Sequence, residues 1–273
     1  VLAQLPDGGW VVTRARGAVE FKPIRVIEDA ADALWGHADR WLLMSATVLS
    51  TDAMLADLGV KEGPTPWAAP WVEVDLPSPF PVARRPIHLC GVTSVTRANP
   101  GAGAAIAAAL PAILARYAGD RVLVHTVSFK LQQELERWLP PSPRYVWYRG
   151  AASRAEALRA YLGVPGAVLF APALERGVDL PDDACRAIVV CKVPYPDLGD
   201  AQIAARAAGY GGAAWYRRQA LRSLVQMTGR GMRHEGDACA SYVLDTQAER
   251  IISWARGELP RWWREAIVRG TAT

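Results

Sequence analysis

LRSLVQMTGRGMR, residues 221–233, carries two interleaved spacings. Leu221, Leu224, Val225 and Thr228 stand at i, i+3, i+4 and i+7, a mostly apolar stripe that seats a helix on a core. Gln226, Arg230 and Arg233 repeat at i, i+4 and i+7, so a helix running through the whole stretch would present one amide and two guanidiniums on another face. Gly229 and Gly231 bracket Arg230 and permit a close approach of backbone or ligand. Paired guanidiniums on one rigid element suit a polyphosphate, because each stays charged and grips phosphate oxygens as a fork. The same residues also read as an ordinary solvated basic face, and the surrounding chain has to decide between the two.

Outward from that stretch the pattern is regular. Downstream, residues 240–244 read as a strand. Upstream, strands are expected at 121–126 (RVLVHT), 145–148, 167–171 and 187–191. Between them lie helices at 128–138, at 153–162 with a Ser153/Glu156 capping box, at 201–208 and at 215–228. Short, nearly continuous apolar strands alternating with amphipathic helices specify an α/β fold whose largely parallel sheet is covered on both faces. Earlier in the chain come a hairpin (10–13 and 18–21), a helix at 27–35 and a compact apolar strand at 41–44 that ends in Ser45-Ala46-Thr47. A short helix at 52–58 stops at Gly59, and prolines crowd 63–86, with one strand expected at 72–74. A strand at 87–92 and a helix at 102–117, through Pro111, complete the pass. The division expected is a junction segment, 1–85, followed by one lobe, 86–273.

Size and composition narrow the class. The chain has 273 residues, 51% of them hydrophobic, enough for a substantial core. Its net charge of +4 allows a nucleic-acid partner without requiring one. Cys90, Cys185, Cys191 and Cys239 form no CxxC pair and lie at no metal-ligand spacing from a histidine, so no metal site is expected. His37, His88, His125 and His234 show no dyad spacing and read as structural. The most apolar run, 104–114, is too short to span a bilayer, and no secretory signal is visible. A cytoplasmic, nucleoid-associated protein is expected, and the opening valine reads as the start of a piece of a longer chain.

In a parallel sheet the loops after the strands carry ligands. The loop after 167–171 holds Glu175, Gly177 and Asp179, where glycine lets backbone approach a ligand and Asp179 can accept from a hydroxyl or guanidinium; a turn with solvated acids fits equally. The loop after 121–126 offers Thr126, Ser128 and Lys130 at a helix N-terminus, suited to a phosphate or a nucleic-acid backbone, or to a simple N-cap by Ser128. No lysine follows a glycine anywhere and no Asp-Glu pair occurs, so neither a GxxxxGK phosphate loop nor a DEAH-type box is present in the sequence.

In this order the segments resemble the C-terminal motor lobe of superfamily 2 helicases, nearest the XPD/DinG family. LLMSATVLS is similar to motif III, RVLVHTVSFKLQQELERWL to motif IV and its helix, and LERGVDLPDDACRAIVVCKVPYPDLGD to motif V. SLVQMTGRGMRHEGD is similar to motif VI, QxxGRxxR with an acid, Asp237, shortly after. The resemblance covers roughly residues 41–245. It departs from the pattern where an Asp-x-Arg is expected and Asp245-Thr246-Gln247 stands instead.

That resemblance implies a RecA-like three-layer lobe lacking its own phosphate loop, half of a two-lobe DNA motor. ATP with Mg²⁺ would be held mainly by an N-terminal RecA-like lobe outside this chain. Here Arg230 and Arg233 would meet the γ-phosphate, oriented through Gln226, with Gly229, Glu175 and Asp179 on the nucleotide side. Ser45, Thr47, Thr126, Ser128 and Gly177 would contact or couple to DNA, either single strands or junctions. Many family members carry an iron–sulfur cluster, but in the first lobe and not in the part seen here. The chain alone is expected to be inactive as an ATPase. A non-hydrolysing module of the same fold that binds DNA or a partner is the alternative. An unrelated doubly wound transferase is disfavoured, because it gives no reason for SAT, ERGVD and QxxGRxxR to occur in sequence.

Overall fold

The computed structural model describes residues 9–15, 17–27, 30–60, 71–172 and 180–269. In chain order the elements are β1 (Trp10–Ala15), β2 (Ala18–Pro23), α1 (Ala30–Ala33), α2 (Thr51–Asp57), β3 (Ile87–Thr93), α3 (Ala102–Ala115) and β4 (Val122–His125). They continue with α4 (Phe129–Trp138), β5 (Tyr145–Trp147), α5 (Arg154–Gly163), β6 (Val168–Ala171), β7 (Ala187–Val190), α6 (Ala201–Ala208) and α7 (Gly212–Thr228). The last are β8 (Ala240–Asp245), α8 (Gln247–Trp254), α9 (Arg261–Arg264) and β9 (Ile267–Arg269). They fall into two units, one formed by Val1–Leu76 with Tyr195–Ala220, the other by Pro77–Pro194 with Leu221–Thr273.

The second unit is built on a seven-stranded sheet of order β5-β6-β4-β7-β8-β3-β9, parallel at every pairing. Every residue of β4, β6 and β7 is buried, which is why these strands read as unbroken apolar runs rather than alternating ones. Val122, Val124, Val168, Phe170 and Val189 face one side of the sheet, where they pack with Ile106, Leu110 and Ile113 of α3 and Leu131 and Leu135 of α4. Alternation along β4 sends Leu123 and His125 to the other side. Pro111 sits on the exposed face of α3, and the buried stripe on the opposite face outweighs the roughly 3 kcal/mol that proline costs inside a helix. This is the α/β RecA-like architecture expected.

The first unit joins two distant stretches of sequence. Gln202 on α6 donates to the Pro23 carbonyl at the end of β2 (2.6 Å), and Lys22 pairs with Asp200 (3.7 Å). Arg206 pairs with Asp57 at 2.5 Å and lies 5.5 Å over the ring of Trp215. Trp35 donates to the carbonyl of Leu58 and meets Trp41 edge-on.

Several local expectations fail. Residues 41–44 form no strand, and Leu42 and Met44 are 78% and 82% exposed. An apolar run becomes a strand only beside another strand, and none of the described strands pairs with this one. Residues 72–74 are likewise irregular and exposed. Among the described residues, the helix expected at 27–35 is represented by α1 and one short 3-10 turn. The Ser153/Glu156 capping box does not form. Ser153 instead donates to the Gly150 carbonyl and accepts from the Arg149 amide. Among the described residues no helix is long and apolar enough to cross a membrane.

Candidate functional site

Helix α7 stops at Thr228, as the sequence reading expects, so Gln226, Arg230 and Arg233 do not share the face that a longer helix would give them. The apolar stripe behaves as expected: Leu221, Leu224, Val225 and Thr228 are all buried. Its last residue is held by hydrogen bonds both within the helix and from β8. Ser241 on β8 donates to the Thr228 carbonyl (3.1 Å), and the Thr228 hydroxyl turns back onto the carbonyls of Leu224 and Val225. Because β7 and β8 are parallel, the crossover between them must return to the start of β8. The turn at 229–239 therefore lies by the strand beginnings, not at the carboxyl-end loops.

This placement separates the three side chains foreseen on one face. Gln226 remains on the helix, half-buried. Arg230 is buried, 7% exposed, and its charge reaches His125 on the side of the sheet away from α3 and α4. Arg233 is exposed and donates to the carbonyl of its neighbour Met232. The two arginines thus stand on a turn after the helix, one buried and one exposed.

The turn itself is fixed by Asp237, whose carboxylate is fully buried. Its oxygens accept from the backbone amides of Arg233 (2.7 Å), His234 (3.2 Å) and Asp182 (3.0 Å). Burial alone would raise this carboxyl, but the three N–H donors and the nearby His234 hold it below its usual value. Asp182 has a left-handed backbone (φ 51°), a conformation that costs an aspartate on the order of 1 kcal/mol and that the bond to Asp237 helps maintain. His234 bridges the same groups, 2.8 Å from Asp182 Oδ1 and 3.3 Å from Asp237 Oδ1. Asp182, His234 and Asp237 have the chemistry of metal ligands. However, the amide of Gly236 donates to His234 Nδ1 (3.1 Å), which leaves the proton of the neutral ring on Nε2, facing the carboxylates. The group works as a hydrogen-bonded clasp between the segment before β7 and the arginine turn. Sequence spacing missed it because Asp182 is brought in from more than fifty residues away.

The two glycines flanking Arg230 differ in what they avoid. A Cβ on Gly229 would make only ordinary contact with the Trp262 ring, whereas one on Gly231 would fall 2.3 Å from Cys239 Sγ and 3.1 Å from the Cys185 carbonyl. The close approach anticipated at Gly231 is to the protein's own chain. Gly231→Ala is expected to destabilise the lobe by about 1–3 kcal/mol, the usual cost of overpacking, and to lower its melting temperature by on the order of 5 °C. Calorimetry checks this, with Gly257→Ala as the control, since open space surrounds that position.

At the carboxyl end of β4, Thr126 is fully buried, and its hydroxyl has no hydrogen-bond partner among the described residues. It is not placed to touch a nucleic-acid backbone directly. Ser128 caps α4, accepting from the Leu131 amide (3.2 Å), and Val127 between them is held at φ 63°. Asp245 ties the neighbouring strand ends together by accepting from the amides of Val95, Val193 and Gln247, while burial pushes its carboxyl up. Gln247, where arginine was expected, donates to the Ser94 hydroxyl. Glu175, Gly177 and Asp179 lie outside the described residues. Ser45 and Thr47, in the first unit, share a hydroxyl–hydroxyl bond of 3.2 Å, and the Thr47 amide donates to the Ser45 hydroxyl.

Residues 113–266, more than half of the chain, match the helicase C-terminal domain family. The chain belongs to that family. The lobe is 28% identical over 170 residues to human regulator of telomere elongation helicase 1, and 26% identical over 110 residues to its Caenorhabditis elegans homologue. These matches cover 54% and 35% of this chain but only 14% and 11% of those proteins. An XPD helicase structure superposes with a TM-score of 0.64 at 14% identity, covering 96% of this chain and 48% of that one. A second XPD structure, without ligand, gives 0.51 at 14% identity over 68% of this chain and 40% of its own. The chain therefore carries a helicase C-terminal domain with the fold of the XPD structures, and it spans about one-seventh of the curated relatives that it matches.

Proposed function

We propose that this lobe is the C-terminal half of an ATP-dependent DNA helicase motor. The observation that carries the reading is the arginine turn, where one buried carboxylate fixes three backbone amides and leaves Arg233 exposed. Phosphoryl transfer needs positive charge on the equatorial oxygens as the γ-phosphoryl leaves, and a guanidinium delivered from a rigid turn supplies it without reorganisation. Arg233 makes that contact when the other lobe closes. Arg230 adds charge from behind the turn, and Gln226 orients it. Gly229, Glu175 and Asp179 belong to the nucleotide side, while the phosphate loop and the groups that hold Mg²⁺ lie in the N-terminal lobe.

Ser128, with the amides that open α4, meets the DNA backbone, and Thr126 supports it from inside. Gly177, Ser45 and Thr47 couple the two surfaces. The exposed Leu42 and Met44 support a two-lobe arrangement, since apolar side chains in an unpaired strand-like run are what a neighbouring sheet would cover. Hydrolysis confined to the closed cleft would tie each turnover to lobe movement along single-stranded DNA or a junction.

The complete protein is expected to hydrolyse ATP with stimulation by single-stranded DNA. This chain alone is expected to show no turnover, and DNA binding that weakens steeply with salt. Coupled ATPase assays and fluorescence anisotropy check both. Robust hydrolysis by the chain alone would contradict the division of labour, and a complete protein that binds DNA without hydrolysing ATP would favour the non-hydrolysing module.

A further inference from the structure

The C-terminal tryptophans Trp262 and Trp263 invite a base-stacking role, but Trp263 is wholly buried and cannot reach a base. Its indole Nε1–H donates to the Thr228 hydroxyl at 2.7 Å, across 35 positions of sequence. That hydroxyl in turn donates to the carbonyls of Leu224 and Val225, 3.1 Å away in each case. The last carbonyls of a helix have no partner within it. Here Ser241 provides one for the Thr228 carbonyl, at the residue before Gly229, while Trp263 holds the Thr228 hydroxyl that is bonded to the carbonyls of Leu224 and Val225.

Trp262 stands against Gly229 itself, with its ring edge 3.5 Å from where a side chain on that glycine would begin. It is held there by Arg85, whose guanidinium lies over the ring at 5.8 Å and donates to the Trp262 and Phe80 carbonyls. Arg85 is also paired with Glu265 at 3.5 Å.

We propose that Trp263, through Thr228, is a positioning residue for the arginine turn, fixing where α7 ends and hence where Arg230 and Arg233 are delivered. This rests on the motor reading given above, because the turn matters to turnover only if its arginines meet the nucleotide. Glycine at 229 places no restraint of its own on the chain. Without the indole bond the last helical turn can fray, and a displacement of about 1 Å at a charge-stabilising group is enough to cost turnover up to a hundredfold. A tryptophan serving only as core would fill the same space without a bond to the residue that ends the helix.

Trp263→Phe in the complete protein keeps an aromatic ring and removes the N–H. Its kcat for ATP is expected to fall by on the order of tenfold, with KM for ATP within about twofold of the parent. Thr228→Val is expected to give the same loss, Thr228→Ser to retain turnover, and the double variant Trp263→Phe/Thr228→Val to be no worse than either single one. Trp138→Phe, on the exposed face of α4, is the control. In the present chain, amide exchange at residues 229–233 should accelerate in Trp263→Phe and not in the control.

Unchanged exchange in Trp263→Phe overturns the positioning role whatever the enzymology. Full kcat in Trp263→Phe, while Arg233→Ala has lost turnover, overturns it for catalysis. Retained turnover in Arg233→Ala is the failure of the finger assignment instead, with the exchange result still deciding what Trp263 does to the turn.

Discussion

Arg233→Ala in the complete protein is expected to reduce DNA-stimulated ATP turnover by about 10³-fold or more, the range lost when a finger arginine is removed. The fold should survive. The Arg233 side chain is exposed, and the bond that anchors this position to Asp237 comes from the backbone amide, which alanine retains. Arg233→Lys should recover little, because an ammonium cannot reproduce the planar two-point grip of a guanidinium. The measurement is steady-state hydrolysis at saturating ATP and DNA, alongside circular dichroism and the melting temperature. Near-normal turnover in a well-folded variant would remove Arg233 from the chemistry.

The second large effect concerns stability and pH. His125 is completely buried at the end of β4, and neither ring nitrogen has a hydrogen-bond partner among the described residues. Burial, and after it the charge of Arg230, hold its pKa down at about 3 against an ordinary 6.5. In the unfolded chain the ring takes up a proton below pH 6.5, while in the folded lobe it stays neutral. The unfolded state then binds more protons across that interval, so stability rises with pH and is lost on acidification from about 6.5 towards 3. At about 1.36 kcal/mol per pH unit, the loss at the acid end is on the order of 4 kcal/mol.

Urea unfolding between pH 7 and pH 4 measures this acid limb. His125→Phe should flatten it, and stability at pH 7 should be equal or slightly greater, since an unpaired polar ring is replaced by an apolar one of similar shape. An equally steep acid limb in the variant would assign the effect to other groups. His125 was read from sequence as structural. Its position is indeed structural, but a buried imidazole with unmet nitrogens is a liability that only its surroundings reveal.

Much of the lobe was legible because its strands are short and its faces uniform. The short apolar runs at 122–125, 168–171 and 187–190, alternating with helices, read as interior parallel strands, and Ser128 announced the helix that it caps. The stripe Leu221–Leu224–Val225–Thr228 was correct in full. The run at 41–44 misled because a strand depends on a neighbour that local sequence does not contain.

What the sequence by itself determined is the parallel α/β lobe, its element order as far as β8 and the residue types in the QxxGRxxR segment, since each follows from periodicity and composition within a few residues. Tertiary structure alone decided that Arg230 turns inward while Arg233 stays out, and that Asp182, His234 and Asp237 meet. The physical reason is the same in each case. A hydrogen bond from Trp263, Ser241 or Asp182 comes from a residue distant in the chain, and local spacing gives no sign of it.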